Sequence, residues 1–131
     1  MTTRNTSTHP LTELQQAILD VLWEQGPATA EDVRKALKPK HPLTDSSVRT
    51  LLRRLEARGY LSHRTEGKVF IYRAEMPSQS VAARAVQHII RRFCSGSVEQ
   101  FLTGMVDEQI VSADELQRLA KKVKARRSED A

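Results

Sequence analysis

The sequence has a single cysteine, no long apolar run and few aromatic residues. Cys94 has no partner for an internal disulfide, which agrees with a reducing compartment; we interpret it as a small buried hydrophobe, with a redox or metal role as the alternative. No segment approaches the roughly 20 apolar residues that a membrane helix needs, and the polar start MTTRNTSTHP lacks the apolar core of a signal peptide. These absences predict a cytoplasmic protein without membrane insertion.

Catalytic and metal-binding patterns are also missing. The four histidines, His9, His41, His63 and His88, fall in different predicted elements and lack the HxxxH or HExxH spacing of a metal site. The sequence has no glycine-rich phosphate loop and no nucleophile elbow, and its carboxylates are spread along polar faces. We therefore expect no catalytic residue, no metal site, no cofactor and no enzymatic activity.

Positive charge, by contrast, is in excess and is concentrated in the middle of the chain. The 131 residues carry 21 lysines and arginines against 16 carboxylates, a net charge of +5. Residues 1–42 carry five of each sign, residues 43–75 carry seven basic and four acidic side chains, and residues 76–131 carry nine and seven. This distribution suggests an anionic partner for the middle segment.

Capping residues predict three short helices after a disordered leader at residues 1–10. The expected N-caps are Thr12, Thr29 and either Thr44 or Asp45, and the expected helix ends lie before Gly26, Pro39 and Gly59. From Tyr60 the pattern becomes strand-like: YLSHRT and KVFIYRA, separated by Glu66-Gly67, predict a β-hairpin. Three helices followed by a hairpin is the order of a winged helix, which we assign to residues 11–75.

Residues 76–127 return to helical spacing and predict three further helices, with residues 128–131 as a tail. The fold class is therefore mainly α with a small β-hairpin: a winged helix-turn-helix domain plus a C-terminal three-helix segment. Apolar stripes on these last helices cannot be buried within one chain, so we expect a homodimer in which they meet across a two-fold axis. The predicted interface residues are Val86, Ile89, Ile90, Phe93, Leu102, Leu116, Leu119 and Val123.

The third predicted helix has a polar face suited to DNA. An inward stripe of Val48, Leu52 and Leu55, with Leu51, turns a face of serine, threonine and arginine outward. An arginine fork can pair with guanine O6 and N7, and hydroxyl groups can bind phosphate. The predicted DNA-binding residues, including two on the hairpin, are Thr44, Ser46, Ser47, Arg49, Thr50, Arg53, Arg54, Arg64 and Lys68. The alternative is an ordinary solvated helix face.

Two stretches, LTELQQAILDVLWEQGPATAEDVRKAL and SSVRTLLRRLEARGYLSHRTEGKVFIYRA, resemble the BlaI/MecI/CopY family of penicillinase-type repressors. The resemblance runs roughly from Leu11 to Val123. It implies a dimer that binds a palindromic operator in double-stranded DNA, with Ser47, Arg49, Thr50 and Arg54 on the recognition helix and Arg49 as the main base reader. The alternative function is an architectural or protein-interaction dimer without operator specificity; RNA binding is disfavoured because no exposed aromatic platform is evident.

The resemblance also implies how such a repressor is released. In penicillin-responsive members, a membrane sensor protease triggers cleavage of the repressor in its C-terminal region, directly or through a downstream protease, and genes of the beta-lactam response are derepressed. The corresponding segment here is Phe101 to Val106, where FLTGMV departs from the asparagine-phenylalanine bond of those members. The paired CxC motifs of copper-responsive members are not matched by the single Cys94.

Overall fold

The computed structural model describes residues 10–130, so the predicted leader lies outside the described residues apart from Pro10. The elements follow in the order α1 (Glu13–Gln25), α2 (Ala30–Leu37), α3 (Asp45–Ala57), β1 (Leu61–Glu66), β2 (Val69–Ala74), α4 (Ser78–Phe93), α5 (Val98–Asp107) and α6 (Ala113–Asp130). The predicted fold class, mainly α with a hairpin in winged helix-turn-helix order, is confirmed.

Local hydrogen bonds explain where the first helices begin. Thr12 Oγ1 accepts from the Gln15 amide at 3.1 Å, and Gln15 Oε1 accepts from the Thr12 amide at 3.0 Å. Thr29 and Asp32 form the same reciprocal pair at the start of α2. At α3 the N-cap is Thr44, which settles the choice between Thr44 and Asp45. Each cap satisfies amides that the first helical turn would otherwise leave without partners.

The first three helices and the base of the hairpin enclose one hydrophobic core. Its largest fully buried side chains are Ile18, Leu19, Val33, Val48, Leu52, Leu55 and Leu61. Two main-chain hydrogen bonds between Ala28 and Tyr72, at 2.8 and 2.9 Å, attach the hairpin to the connection between α1 and α2. The hairpin is therefore anchored at its base, and its tip projects beyond the core.

The two strands pair antiparallel around a turn at Gly67-Lys68. Glu66 pairs with Val69, so the turn lies one residue later than the predicted Glu66-Gly67. Gly67 has a φ of +61°, a conformation that glycine adopts without strain. Alternation along the strands puts Leu61, His63, Thr65, Phe70, Tyr72 and Ala74 on one face, and Ser62, Arg64, Glu66, Val69, Ile71 and Arg73 on the other.

The chain divides into two compact units between His88 and Ile89, inside α4. The first unit extends past the predicted boundary at residue 75 because Val81, on α4, is buried in the first core. The limits of a dimerisation segment remain a prediction. In the second unit, as far as the structure describes it, Ile90 is the one buried hydrophobic side chain, while Phe93, Val98, Ile110, Leu119 and Val123 are exposed.

Residues 10–130 show neither a membrane-spanning helix nor a metal-binding group of side chains. No helix there has the length and apolar character needed to span a membrane. No group of three or more histidine, cysteine or carboxylate side chains in that part of the chain is arranged to hold a metal ion.

Candidate DNA interface

Helix α3 has one buried and one exposed face. Val48, Leu52 and Leu55 are fully buried, which fixes the rotation of the helix about its axis. The exposed residues of α3 are Asp45, Ser46, Ser47, Arg49, Arg53, Arg54 and Ala57, and Thr50 is half-buried. The structure thus brings the predicted residues of the third helix onto one accessible surface.

A cluster of hydroxyl groups surrounds the N-terminus of α3. Thr44 Oγ1 accepts from the Ser47 amide at 3.2 Å, donates to Ser47 Oγ at 2.9 Å and lies 3.2 Å from Ser46 Oγ. The Thr44 hydroxyl is therefore committed to the cap. Ser46 Oγ and Ser47 Oγ lie beside the positive end of the helix dipole, where a phosphate oxygen is stabilised.

Thr50 uses its hydroxyl proton within the helix. Its Oγ1 donates to the main-chain carbonyl oxygen of Ser46 at 2.9 Å. A threonine bonded in this way presents its methyl group to a partner rather than a free donor. Apolar contact of that kind suits the C5 methyl group of thymine in a major groove.

The arginines of α3 differ in how they are held. Arg49 Nε lies 3.1 Å from Asp45 Oδ2, one helical turn earlier, and both side chains are exposed. Within residues 10–130, no carboxylate lies within ion-pair distance of Arg53 or Arg54. Arg53 is therefore free to contact a base edge directly, whereas Arg49 must first break its ion pair with Asp45 or keep Asp45 as a shared partner.

The charged stripe of α3 borders the hairpin. Burial raises the pKa of the Tyr72 phenol; the nearby Glu56 carboxylate raises it further, whereas Arg49 and Arg53 lower it. Arg49, Arg53 and Glu56 recur at helical spacing along one side of α3, and Glu56 brings that side into contact with the hairpin at His63. Helix α3 and the face of the hairpin that carries Tyr72 are therefore adjacent.

The two basic residues predicted on the hairpin occupy different positions. Lys68 is exposed in the turn at the tip. Arg64 lies on the strand face opposite Tyr72 and pairs with Glu66, with 3.4 Å between Arg64 Nη2 and Glu66 Oε1. Lys68 is therefore accessible at the tip, while Arg64 does not share the face that borders α3.

The prediction missed an aromatic group on that bordering face. The rings of His63 and Phe70 stack with centroids 4.1 Å apart, and the Tyr72 ring lies 5.7 Å from His63. Glu56 of α3 contacts the His63 ring nitrogen at 2.8 Å. Period-two alternation in YLSHRT and KVFIYRA could have predicted this group, because a two-residue turn at either Glu66-Gly67 or Gly67-Lys68 puts these rings on one side of the hairpin.

Comparison with known proteins identifies the family. The penicillinase repressor family model matches residues 11–125, nearly the whole chain. The chain belongs to the penicillinase repressor family. This family assignment confirms the resemblance seen in the sequence, and it makes the protein a winged-helix transcriptional regulator of the repressor type.

Individual relatives of this penicillinase repressor family member are distant but extend over most of its length. The methicillin resistance regulatory protein MecI of Staphylococcus aureus is 18% identical over 112 residues, covering 86% of this chain and 91% of MecI. The penicillinase repressor of Bacillus licheniformis is 21% identical over 109 residues, covering 83% and 85%. A 16.5 kDa protein of Latilactobacillus sakei is 26% identical over 113 residues, covering 86% and 77%.

Solved structures of similar topology come from other regulators. A transcriptional regulator of Thermotoga maritima matches with a TM-score of 0.47 and 19% identity, covering 92% of this chain and 78% of that one. A MarR family protein of Bacillus stearothermophilus matches with a TM-score of 0.47 and 20% identity, covering 88% and 77%.

The residues that the sequence predicts for a dimer interface of this family member differ in accessibility. Ile89, Phe93, Leu119 and Val123 are exposed; Val86, Leu102 and Leu116 are half-buried; and Ile90 is only 8% exposed. Two exposed apolar residues of the second unit, Val98 and Ile110, were not in the predicted set. Ile90 therefore stabilises its own chain, and the exposed members are those available to a second copy.

Proposed function

We propose that the protein is a homodimeric transcriptional repressor that binds an inverted-repeat operator in double-stranded DNA through α3 and the hairpin. The observation that carries the proposal is the division of α3 into a fully buried leucine and valine stripe and an exposed face with Arg49, Arg53 and Arg54. Membership of the penicillinase repressor family supports it.

The exposed face of α3 supplies both kinds of DNA contact. Arg53 has no ion pair to give up among the described residues, so we assign it direct base reading, with Arg49 exchanging Asp45 for a guanine edge. Arg54, Ser46 and Ser47 at the flanks suit phosphate oxygens, which set the position of the helix in the groove. Base reading is therefore shared between Arg49 and Arg53.

The exposed apolar residues of the second unit support a homodimer. Phe93 is 69% exposed and shares the described second unit with exposed Leu119 and Val123. A second copy with the same residues buries them symmetrically, which is the usual way that one chain closes an apolar surface. Two-fold symmetry then predicts inverted half-sites about one or two helical turns apart.

The names of the relatives, penicillinase repressor and methicillin resistance regulatory protein, support a role in controlling beta-lactam-response genes. The protein would act in the cytoplasm. Release by a membrane sensor protease, or by a protease downstream of it, then requires a cleavable segment. The predicted segment, Phe101 to Val106, lies inside α5 (Val98–Asp107). A protease needs an extended substrate, so we propose that α5 opens locally before any cleavage.

The experiment that tests operator binding is fluorescence anisotropy with an operator selected from genomic DNA and a random duplex of equal length. We expect Arg53→Ala to reduce operator affinity by 10-fold or more, consistent with about 1 to 3 kcal/mol per base contact, while random duplex binding changes little. Arg118→Ala, which removes the same charge from α6, is the matched control.

Two outcomes would count against this proposal. If the unaltered protein binds operator and random duplex equally at physiological salt, it is an architectural DNA-binding dimer rather than an operator-specific repressor. If Arg53→Ala weakens binding to both duplexes equally, Arg53 contacts phosphate and base reading rests on other residues.

A further inference from the structure

Two apolar side chains at the tip of the hairpin are exposed without a role in the core. Phe70 is 46% exposed and Val69 is 47% exposed, whereas Tyr72, two residues further along β2, is buried. Val69 and Phe70 lie on opposite faces of the same strand. Only Phe70 is on the face that borders α3.

Phe70 is held in place by a chain of contacts that starts on α3. Glu56 contacts His63 Nδ1 at 2.8 Å through both carboxylate oxygens. The His63 ring stacks on Phe70, with 4.1 Å between centroids and 16° between planes, and Tyr72 meets Phe70 edge-on at 6.3 Å. An exposed ring fixed this firmly has already lost the conformational freedom that binding would otherwise remove.

We propose that Phe70 is a DNA-contacting residue that packs into the minor groove beside the major groove read by α3. The inference rests on the proposed function and adds a contact to it. Apolar side chains on minor-groove binding elements pack against sugars and base steps in this way. Lys68, adjacent at the tip, supplies the neighbouring phosphate contact.

Glu56 and His63 are positioning residues in this arrangement. A carboxylate near DNA repels phosphate, and Glu56 therefore does not serve as a contact. Its hydrogen bond with His63 Nδ1 instead holds the hairpin face that carries Phe70 beside α3, where Arg53 lies one turn before Glu56. The distance between the two elements that contact DNA, α3 and the hairpin, is then fixed.

The first test compares Phe70→Ala with Val69→Ala on the full-length protein. The two residues are exposed to nearly the same fraction and lie on opposite faces, so Val69→Ala controls for loss of an exposed apolar side chain at the tip, although Phe70→Ala removes the larger group. We expect Phe70→Ala to lower operator affinity on the order of tenfold and to remove hydroxyl-radical protection of the minor groove that flanks the α3 site. Val69→Ala should leave both unchanged.

Several results would overturn the inference. Unchanged affinity and an intact flanking footprint in Phe70→Ala, with Arg53→Ala still defective, reject the Phe70 contact and leave the proposed function standing. A shift in sedimentation without a footprint change assigns Phe70 to a contact between copies of the chain. If the unaltered protein shows no operator preference, the proposed function itself fails, and this inference fails with it.

The second test addresses the positioning residues through Glu56→Ala and the conservative Glu56→Gln. If Glu56 acts only by repelling phosphate, both variants bind operator and random duplex more tightly and keep the flanking footprint. If it positions the hairpin, Glu56→Ala weakens the flanking protection while the α3 footprint persists, and Glu56→Gln, which can still hydrogen-bond His63, restores it. The first result rejects the positioning role.

Discussion

Trp23 Nε1, near the end of α1, donates a 2.8 Å hydrogen bond to the main-chain carbonyl oxygen of Met76. The two residues are separated by 53 positions in the sequence, and the bond ties the segment that leads into α4 to the first helix. A half-buried indole needs such an acceptor, because its N–H group loses water on folding. The contact therefore stabilises the first unit through Met76, which lies in the connection between β2 and α4 and belongs to neither.

We expect Trp23→Phe to lower the free energy of unfolding by about 1 to 3 kcal/mol, because the Met76 carbonyl oxygen loses its donor and the smaller ring packs less well. Urea unfolding followed by circular dichroism measures this change, since the substitution removes the single tryptophan. An unchanged midpoint would show that solvent replaces the bond without loss.

The adjacent residues Leu51 and Leu52 should differ sharply in their contribution to stability. Leu52 is fully buried, whereas Leu51 packs half-buried against the edge of the core. Leu52→Ala should lower the free energy of unfolding by about 2 to 5 kcal/mol, the range for a cavity in a packed interior, and Leu51→Ala by clearly less. Equal losses in urea unfolding would contradict the rotation of α3 on which the outward arginine face depends.

The predictable parts of this structure are those that local chemistry decides. The caps at Thr12 and Thr29 follow from side chains that bond amides three residues away, and they could be predicted directly. The Asp45 to Arg49 pair has a spacing that was available in the sequence but was not used. Leu19 is fully buried because α1 contacts α2, α3 and β2, which together cover more of α1 than a single helical stripe.

Contacts between distant elements were beyond the sequence pattern. The pair Glu56 and His63 joins α3 to β1, and its existence depends on the angle at which the hairpin leaves Gly59 and Tyr60. Moving the two-residue turn from Glu66-Gly67 to Gly67-Lys68 puts Tyr72 rather than Phe70 opposite His63, but it leaves the same residues on the His63 face. The predicted turn would have left His63 and Phe70 on one face as well, so what the pattern could not reveal was the contact of that face with α3.

Asp32 should make stability depend on acid pH. The Thr29 amide donates to Asp32 Oδ2 at 3.1 Å, and this bond holds the pKa of the carboxyl below its ordinary value of 3.8. Because the folded pKa is the lower one, the contribution is present above the ordinary value and is lost as pH falls through the folded pKa. Asp32→Asn should therefore be less stable than the unaltered protein at neutral pH, with the difference shrinking toward pH 3.

Urea midpoints of both proteins between pH 7 and pH 3 measure this effect. Asp20→Asn on α1 is a suitable control, since Asp20 accepts from the Gln16 side chain at 3.0 Å but does not cap a helix. A constant difference between Asp32→Asn and the unaltered protein across the range would show that the cap is insensitive to charge.

Phe93 provides the sharpest test of the proposed homodimer. It is the most exposed member of the predicted interface, so Phe93→Glu should leave the fold of one chain intact while introducing a charge that an apolar interface cannot solvate. We expect sedimentation to shift from dimer toward monomer, and operator affinity to fall with it, because two half-sites are no longer bound together.

Gln87→Glu introduces the same charge on an exposed part of α4 and should change neither sedimentation nor operator affinity. Ile90→Glu is unsuitable, because Ile90 is buried and its substitution unfolds the surrounding chain. A Phe93→Glu protein that sediments like the unaltered one and binds the operator equally well would exclude this surface as the dimer interface, and Leu119 and Val123 on α6 would be the next residues to substitute.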